Sequence, residues 1–472
     1  MENNMNNCTV IDINDIEFRI LNKSVENEIY KNAYRDRFGT DFYSDTTIKA
    51  FTIQLTDRCN LCCSYCFQIN KGVKVLKFET AKKLIDYLLT CKPETDPYIN
   101  SSNNGILLDF VGGEPFLEVD LMDQICEYFE KQLYLLDHPW KDNYRFGAAT
   151  NGTLYFTSKV QSFINKYKEH LKLTFSVDGN KELHDSCRVF PDGSGSYDMA
   201  VKATLYHREH YDHDSNTKLT ISPDNVSCIY DAVVNLIKLG FTIIHMRPVY
   251  EEGWKTKHAQ IYYQELKKLA NYIIDNKLYT TIKLNQFTEG LYSEAKSELN
   301  WCGCGNDMQL FAMDTEGNIF NCIRFAESSL PDDVEPLIIG NVDDGIGATE
   351  DHKHNINCMG CTNRRNVSDD KCYYCPISNT CGWCIAYSHY KCGTTMKRTT
   401  YSCQLYMAES LANTYYLSKL AERICEKDES GLMLFYRPEL RCPYDWAINI
   451  ISKEEYDMLI KISHSDRRRL FA

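Results

Sequence analysis

From residue 51 onward the chain alternates short apolar runs with longer amphipathic ones. Six runs rich in β-branched and aromatic residues, at 51–55, 106–111, 145–149, 171–177, 218–221 and 242–248, read as strands. The stretches 80–89, 121–136, 157–171, 197–211, 227–239 and 259–276 repeat their apolar residues with helical period. In the second of them Leu121, Ile125, Tyr128, Phe129 and Leu133 share one face. Strands alternating with helices predict right-handed β-α-β units on a parallel sheet. Six such units make an α/β fold, a partial (β/α)6 TIM-type barrel, with its site at the C-terminal ends of the strands.

The pattern breaks near 295, where short Cys-rich and Gly-rich segments take over. A helical stretch at 405–425 and a tail to 472 follow. Before the first strand the chain is polar, with one candidate helix at 25–34. The expected division is an N-terminal extension 1–48, a barrel 49–295, a Cys-rich domain 296–410 and a C-terminal helical extension and tail 411–472. In the tail, 432–436 reads as a strand packed within its domain rather than as a free edge.

Composition narrows the function. The 472 residues suffice for two or three domains, and 43% hydrophobic with 25% charged residues excludes global disorder. A net charge of -13 gives no electrostatic footprint for nucleic acid, and the arginines at 467–469 are too short a run to change that. The N-terminus lacks a basic region followed by an apolar one, and no stretch approaches the ~18–20 apolar residues of a membrane span. A cytoplasmic location follows as the expectation. There, 22 cysteines are unlikely disulfides and better metal or cluster ligands.

Four of them lie between 59 and 66, eleven between 302 and 403, and seven are scattered singly as ordinary packing residues. Cys59, Cys63 and Cys66 follow the first strand in C-x3-C-x2-C spacing. Three thiolates on one loop can hold three corners of a [4Fe–4S] cluster and leave the fourth iron open. Zinc, with Cys62 as a fourth ligand, is the other reading of this loop. The second strand ends in Gly112-Gly113-Glu114-Pro115, the third in Asn151-Gly152, and the fourth in Ser176-Val177-Asp178-Gly179 with Arg188 beyond. A lone Asn-Gly or Asp-Gly is commonly a turn. Turns alone do not explain motifs at the ends of four consecutive strands.

These residues resemble the radical SAM superfamily, with Tyr65 at the aromatic position before the third cysteine. The resemblance implies that Cys59, Cys63 and Cys66 hold a [4Fe–4S] cluster whose open iron chelates S-adenosylmethionine. One electron then cleaves the sulfonium to a 5′-deoxyadenosyl radical. It also implies that Gly112, Gly113, Glu114 and Pro115 meet the methionine amino group. Asn151, Ser176, Asp178 and Arg188 would line the ribose and carboxylate. The C-terminal cysteines resemble a SPASM domain with two auxiliary [4Fe–4S] clusters, making three clusters in all. Cys302, Cys322 and Cys384 would bind the first, with Cys304 or a substrate thiolate as the fourth ligand. Cys372, Cys375, Cys381 and Cys403 would bind the second. The spacing departs from the pattern by one residue between Cys381 and Cys384, and Cys358, Cys361 and Cys392 are surplus to it. Zinc ribbons are the alternative for this block.

SPASM proteins mostly modify peptides. The last third is similar to maturases of Cys-rich precursor peptides carrying Cys-x-x-x units, of the thioether-forming ranthipeptide and sactipeptide type. That implies a precursor-peptide partner and a reductant such as flavodoxin or ferredoxin. About 50 residues precede the first strand, too few for a complete leader-recognition domain, so recognition is expected from a separate protein or from the short N-terminus and the tail after Cys403. No nucleic-acid or membrane partner is expected. A sulfatase-maturating oxidation of Cys or Ser to formylglycine is the second hypothesis, and a non-enzymatic metal-binding scaffold the third. The formylglycine route predicts a carboxylate base in the barrel, which the sequence alone does not single out.

Overall fold

The computed structural model describes residues 49–92, 96, 98–99, 105–212, 217–251, 253–287, 310–360, 362, 367–378, 381, 383–427 and 440–463. The six strand runs become β1 (Lys49–Gln54), β2 (Ile106–Val111), β3 (Tyr144–Thr150), β4 (Leu171–Ser176), β5 (Thr217–Ile221) and β6 (Ile243–Pro248). They pair in parallel and in chain order. Between and after them lie α1 (Phe78–Thr90), α2 (Val119–Leu135), α3 (Ser158–Tyr167), α4 (Lys181–Cys187), α5 (Tyr197–His210), α6 (Ile229–Lys238) and α7 (Thr256–Asp275). The short α4 goes beyond what periodicity predicts. Its start is fixed locally, because the Asn180 side chain accepts from the Leu183 N–H at 3.0 Å.

Strands β2 and β4 alternate strictly between buried and half-buried positions. One face meets the helices and the other turns away from them. On the helix side Phe110, Phe146 and Phe175 are fully buried. Phe129 of α2 meets Tyr144 and Phe146 edge-on, with ring centroids 5.6 and 5.9 Å apart. Burying one such ring stabilises the fold by about 1.5–3 kcal/mol.

The sheet extends beyond the six expected strands. β7 (Lys283–Leu284) continues it past β6, and β8 (Leu310–Met313) pairs in parallel with β1 at the opposite edge. From β8 it runs on, antiparallel, through β9 (Asn318–Phe320), β10 (Gly340–Asn341) and β11 (Gly345–Ile346). The Cys-rich region is therefore built onto the barrel's own sheet. It continues through α8 (Glu350–Gly360), α9 (Asp370–Tyr373), α10 (Ile385–Cys392) and α11 (Cys403–Lys427).

Helix α11 runs unbroken through residue 410, where a domain boundary was expected. It lies along α7, with Tyr262 donating to Glu409 at 2.6 Å and Tyr415 to Asn271 at 2.8 Å. After it come α12 (Tyr444–Ala447) and α13 (Lys453–Ser463), and α13 returns to α7 where Tyr263 donates to Glu455 at 2.6 Å. The expected helix at 25–34, the boundary near 295 and the strand at 432–436 lie outside the described residues. No helix among the described residues is long and apolar enough to cross a membrane.

Candidate functional site

The loop after β1 folds back on itself, with the Asp57 N–H donating to Lys74 O at 3.0 Å and the Leu76 N–H to Leu55 O at 2.8 Å. Within it Cys59, Cys63 and Cys66 are half-buried and Cys62 is exposed. The loop is fastened at both sides. The Cys62 and Ser64 N–H groups donate to Val189 O (2.8 Å) and Cys187 O (3.0 Å), while those of Gly113 and Glu114 donate to Thr56 O and Arg58 O, each at 3.0 Å. A Cβ on Gly113 would lie 2.2 Å from the Arg58 carbonyl oxygen and 2.7 Å from the Cys59 Cβ. This glycine is required first by the cysteine loop that rests on it.

The four strand ends are cross-linked by polar side chains. Glu114, 1% exposed, accepts from the Phe116 N–H (3.1 Å), the Thr150 hydroxyl (2.7 Å) and the Asn151 N–H (2.8 Å). Burial pushes its carboxyl up to about 7 while these donors pull it down. Pro115 starts the 3₁₀ turn that carries the chain into α2. Asn151 donates through Nδ2 to Asn60 Oδ1 at 2.8 Å, and Asn60 donates to Thr153 at 2.8 Å, so a residue inside the cysteine motif is tied to the third strand end.

At the fourth end, Asp178 is fully buried and accepts from Arg188 Nε at 2.6 Å, the Thr220 N–H at 3.0 Å and the Tyr65 hydroxyl. Arg188 stacks over the Tyr65 ring at 5.2 Å and directs Nη1 at Cys63 Sγ, 3.9 Å away. His184, lowered to about 4 by burial, accepts the Asp178 N–H through Nδ1 and meets Ser196 through Nε2. Ser176 ends β4 in register with Lys218 of β5.

Burial holds the Cys59 thiol at about 11 and raises Cys63, where the Arg188 cation opposes it. Metal binding replaces those protons. Three thiols on one fixed loop suit a multi-iron cluster. Among the described residues no group of three or more His, Cys, Asp or Glu side chains is already gathered as a metal site, the loop cysteines included.

In the Cys-rich region, Cys372, Cys375, Cys381 and Cys403 line one cavity of about 530 Å³, with Trp254, Trp446 and Arg398. Arg398 Nη2 donates to Cys381 Sγ at 2.9 Å. Cys381 in turn hydrogen-bonds Cys403, which lowers Cys403 to about 7 and raises Cys381. Cys322 and Cys384 belong to a different apolar group with Phe325 and Trp383, and both act electrostatically on Arg324. Cys302, Cys304 and Cys361 lie outside the described residues. Cys358 sits 3.5 Å from His354 Nε2, and Cys392 is half-buried. Of the isolated cysteines, Cys126, Cys187 and Cys442 are buried, as packing residues are.

Asn60, Thr150, Arg324 and Arg398 were not singled out from sequence. Each stands inside a motif of the sequence: Asn60 in the cysteine loop, Thr150 before Asn151-Gly152, Arg324 after Cys322 and Arg398 before Cys403.

No family model matches the chain. It is 30% identical over 193 residues to an uncharacterized protein of Methanocaldococcus jannaschii, covering 41% of this chain and 60% of that one. It is 20% identical over 408 residues to the radical SAM cyclopropyl synthase TigE of Paramaledivibacter caminithermalis, covering 82% and 78%. With the subtilosin biosynthesis protein AlbA of Bacillus subtilis the identity is 27% over 166 residues, covering 34% and 30%. The chain thus spans less than two thirds of the first and third of these relatives. Among solved structures, anSMEcpe with bound AdoMet matches at a TM-score of 0.59 and 19% identity, covering 81% of this chain and 100% of that one. Streptococcus suis SuiB bound to its precursor peptide SuiA matches at 0.51 and 14%, covering 85% and 83%. The likeness to both is one of fold. The resemblance to radical SAM enzymes drawn from the motifs is borne out by the similarity to TigE.

Proposed function

We propose that this chain is a radical S-adenosylmethionine enzyme that forms thioether crosslinks in a ribosomally made, Cys-rich peptide. The observation that carries the reading is the C-x3-C-x2-C loop, fastened to the ends of parallel strands. Cys59, Cys63 and Cys66 would hold the first [4Fe–4S] cluster, and Cys372, Cys375, Cys381 and Cys403 an auxiliary one. Cys322 and Cys384 would serve a third with Cys302 and either Cys304 or a peptide thiolate. The bound cluster and S-adenosylmethionine together supply the radical that takes a hydrogen atom from the acceptor carbon.

The chain's own residues do the remaining work. Arg188 and Tyr65 fix the cluster loop against Asp178. Glu114 and Asn151 hold the second and third strand ends at one height. The barrel wall keeps water from the reacting carbon. Forming the C–S bond removes a hydrogen atom, a thiol proton and one electron from the peptide, and auxiliary clusters held by the C-terminal cysteines would supply the acceptor for that electron. A reductant of the flavodoxin or ferredoxin kind delivers the starting electron in the cytoplasm.

One observation favours the formylglycine reading: Asp109 puts a carboxylate in the barrel, raised to about 6 by burial. Mass spectrometry separates the two, since a thioether keeps sulfur in the peptide and formylglycine made from Cys loses it. The primary test is iron and sulfide quantification with Mössbauer spectroscopy on anaerobic protein. Roughly twelve irons, falling to about eight in a Cys59/Cys63/Cys66→Ala variant, are expected. A total near four that ignores the C-terminal cysteines refutes the auxiliary clusters, and failure of reduced protein to cleave S-adenosylmethionine refutes the enzyme.

A further inference from the structure

The cavity of about 530 Å³ that gathers Cys372, Cys375, Cys381 and Cys403 has a cationic wall. Lys255, Lys371 and Arg398 stand on it against one carboxylate, Asp369, among the described lining residues. In a chain of net charge -13 this local excess runs against the whole. Four thiolates outweigh the positive charge of a [4Fe–4S] core, so the wall suits the anionic group that these cysteines would hold.

Arg398 is the cation that touches the ligand set. It stands in the segment between α10 and α11, and its Nη2 donates to Cys381 Sγ at 2.9 Å. Its charge acts on Cys372 and Cys403 as well. The guanidinium lies 5.4 Å over the ring of the buried Trp383. Ring and sulfur hold the planar fork from two sides, which the compact ammonium of a lysine on its flexible stem cannot reproduce. Asp369 also feels Arg398, but it is exposed and already accepts the Cys372 N–H at 2.7 Å, so water screens its charge. The arginine beside the other cysteines is placed differently. Arg324 acts on Cys322 and Cys384, yet it is paired with Glu251 at 3.0 Å and brings them little net charge.

We infer that Arg398, by donating to Cys381 Sγ, raises the reduction potential of a cluster held by Cys372, Cys375, Cys381 and Cys403 and makes this site the easier of the two auxiliary ones to reduce. The inference rests on the auxiliary-cluster reading above. Reduction adds one negative charge to an iron–sulfur core, and that charge spreads onto the ligand sulfurs. A hydrogen bond from a cation to such a sulfur strengthens as the charge arrives, so it favours the reduced state. Both states are already anionic, so only part of the bond's strength is differential. The expected effect is about tenfold in the reduced-to-oxidised ratio at a fixed potential, or about 59 mV for one electron.

The test is a mediated potentiometric titration with dithionite, followed by electron paramagnetic resonance. It uses anaerobically reconstituted full-length protein carrying Cys59/Cys63/Cys66→Ala, so that only auxiliary clusters report. Iron and sulfide are counted on every sample. This background is expected to hold about eight irons and to show two midpoints. Arg398→Met should lower the higher midpoint by about 59 mV and leave the other in place. Arg398→Lys keeps the charge but loses the fixed fork, and should restore part of the fall. A structural role alone would cost iron or move both midpoints, and would not follow the charge. The inference is overturned by midpoints that Arg398→Met leaves unmoved, by a shift of the lower one or of both, or by a single midpoint in an eight-iron background. No restoration by Arg398→Lys overturns it too, as does loss of iron in both variants, which assigns Arg398 to assembly. A background that holds no auxiliary iron refutes the auxiliary-cluster reading itself, and the inference falls with it.

Discussion

Replacing Arg188 by Met takes away the only cation that, among the described residues, pairs with a carboxylate having no access to water. Asp178 is fully buried, and its oxygens take donors from Arg188, Thr220 and Tyr65. With the guanidinium gone, a buried charge remains with two neutral donors. Breaking a buried pair from one side costs about 3–5 kcal/mol, and the two surviving donors argue for the lower end. The variant also removes the cation that faces Cys63. Urea denaturation of the cluster-free protein is the assay, with Arg188→Met, Asp178→Asn and the double variant compared in a cycle. Arg188→Met should lose about 3 kcal/mol, and the double variant should lose clearly less than the two single losses added together, because neither charge is then stranded. A loss below about 1 kcal/mol for Arg188→Met, or strict additivity, would refute the idea that this pair locks the loop to the fourth strand.

Glu114 gives a pH test with a definite sign. Its carboxyl is raised from an ordinary 4.5 to about 7 in the fold, so the folded state holds the extra proton between those values and stability falls as pH rises through them. Wild type is expected to lose up to about 3 kcal/mol from this group between pH 4.5 and 8, and Glu114→Gln to lack that slope in urea midpoints. An unchanged slope would count against it. Gly113→Ala forces a methyl against the Arg58 carbonyl and Cys59, so reconstituted protein should lose about four irons of roughly twelve while keeping the auxiliary set. Iron content equal to wild type would show that the loop has room. Because Cys59 sits near 11 and Cys63 is raised, both are protonated at pH 7.5. Loading iron at this site should therefore release at least about two protons in weakly buffered anaerobic solution, and release of none would contradict the buried-thiol geometry.

The parts of the molecule governed by period and spacing were legible in the chain. Alternation and amphipathicity located all six strands and every helix from α1 to α7 except the short α4, because each face answers to one neighbour. The cysteine spacing located the loop, since ligands close in sequence need no knowledge of the rest of the fold. What could not be read depends on pairings between distant segments. Nothing in residues 310–313 announces that they join β1, because a four-residue apolar strand fits either sheet edge. Glu114 was assigned to an amino group by resemblance, yet its direct partners in the fold are Phe116, Thr150 and Asn151, a role visible only once β2 and β3 lie side by side. Arg398 and Cys381 are 17 residues apart and meet only because the chain turns back before α11.

The position of Cys403 at the first residue of α11 has a consequence for handling and turnover of the protein. That helix is the same rod that lies along α7 and carries Glu409 and Asn413 into contact with Tyr262 and Gln286. A cluster held by Cys403 would act as its N-terminal clasp. Damage by oxygen at that cluster would then be felt as fraying of α11 from its start and loosening of the barrel's flank. In an oxygen-exposed cell such a chain would become a protease substrate, so that loss of the cofactor also marks the molecule for removal.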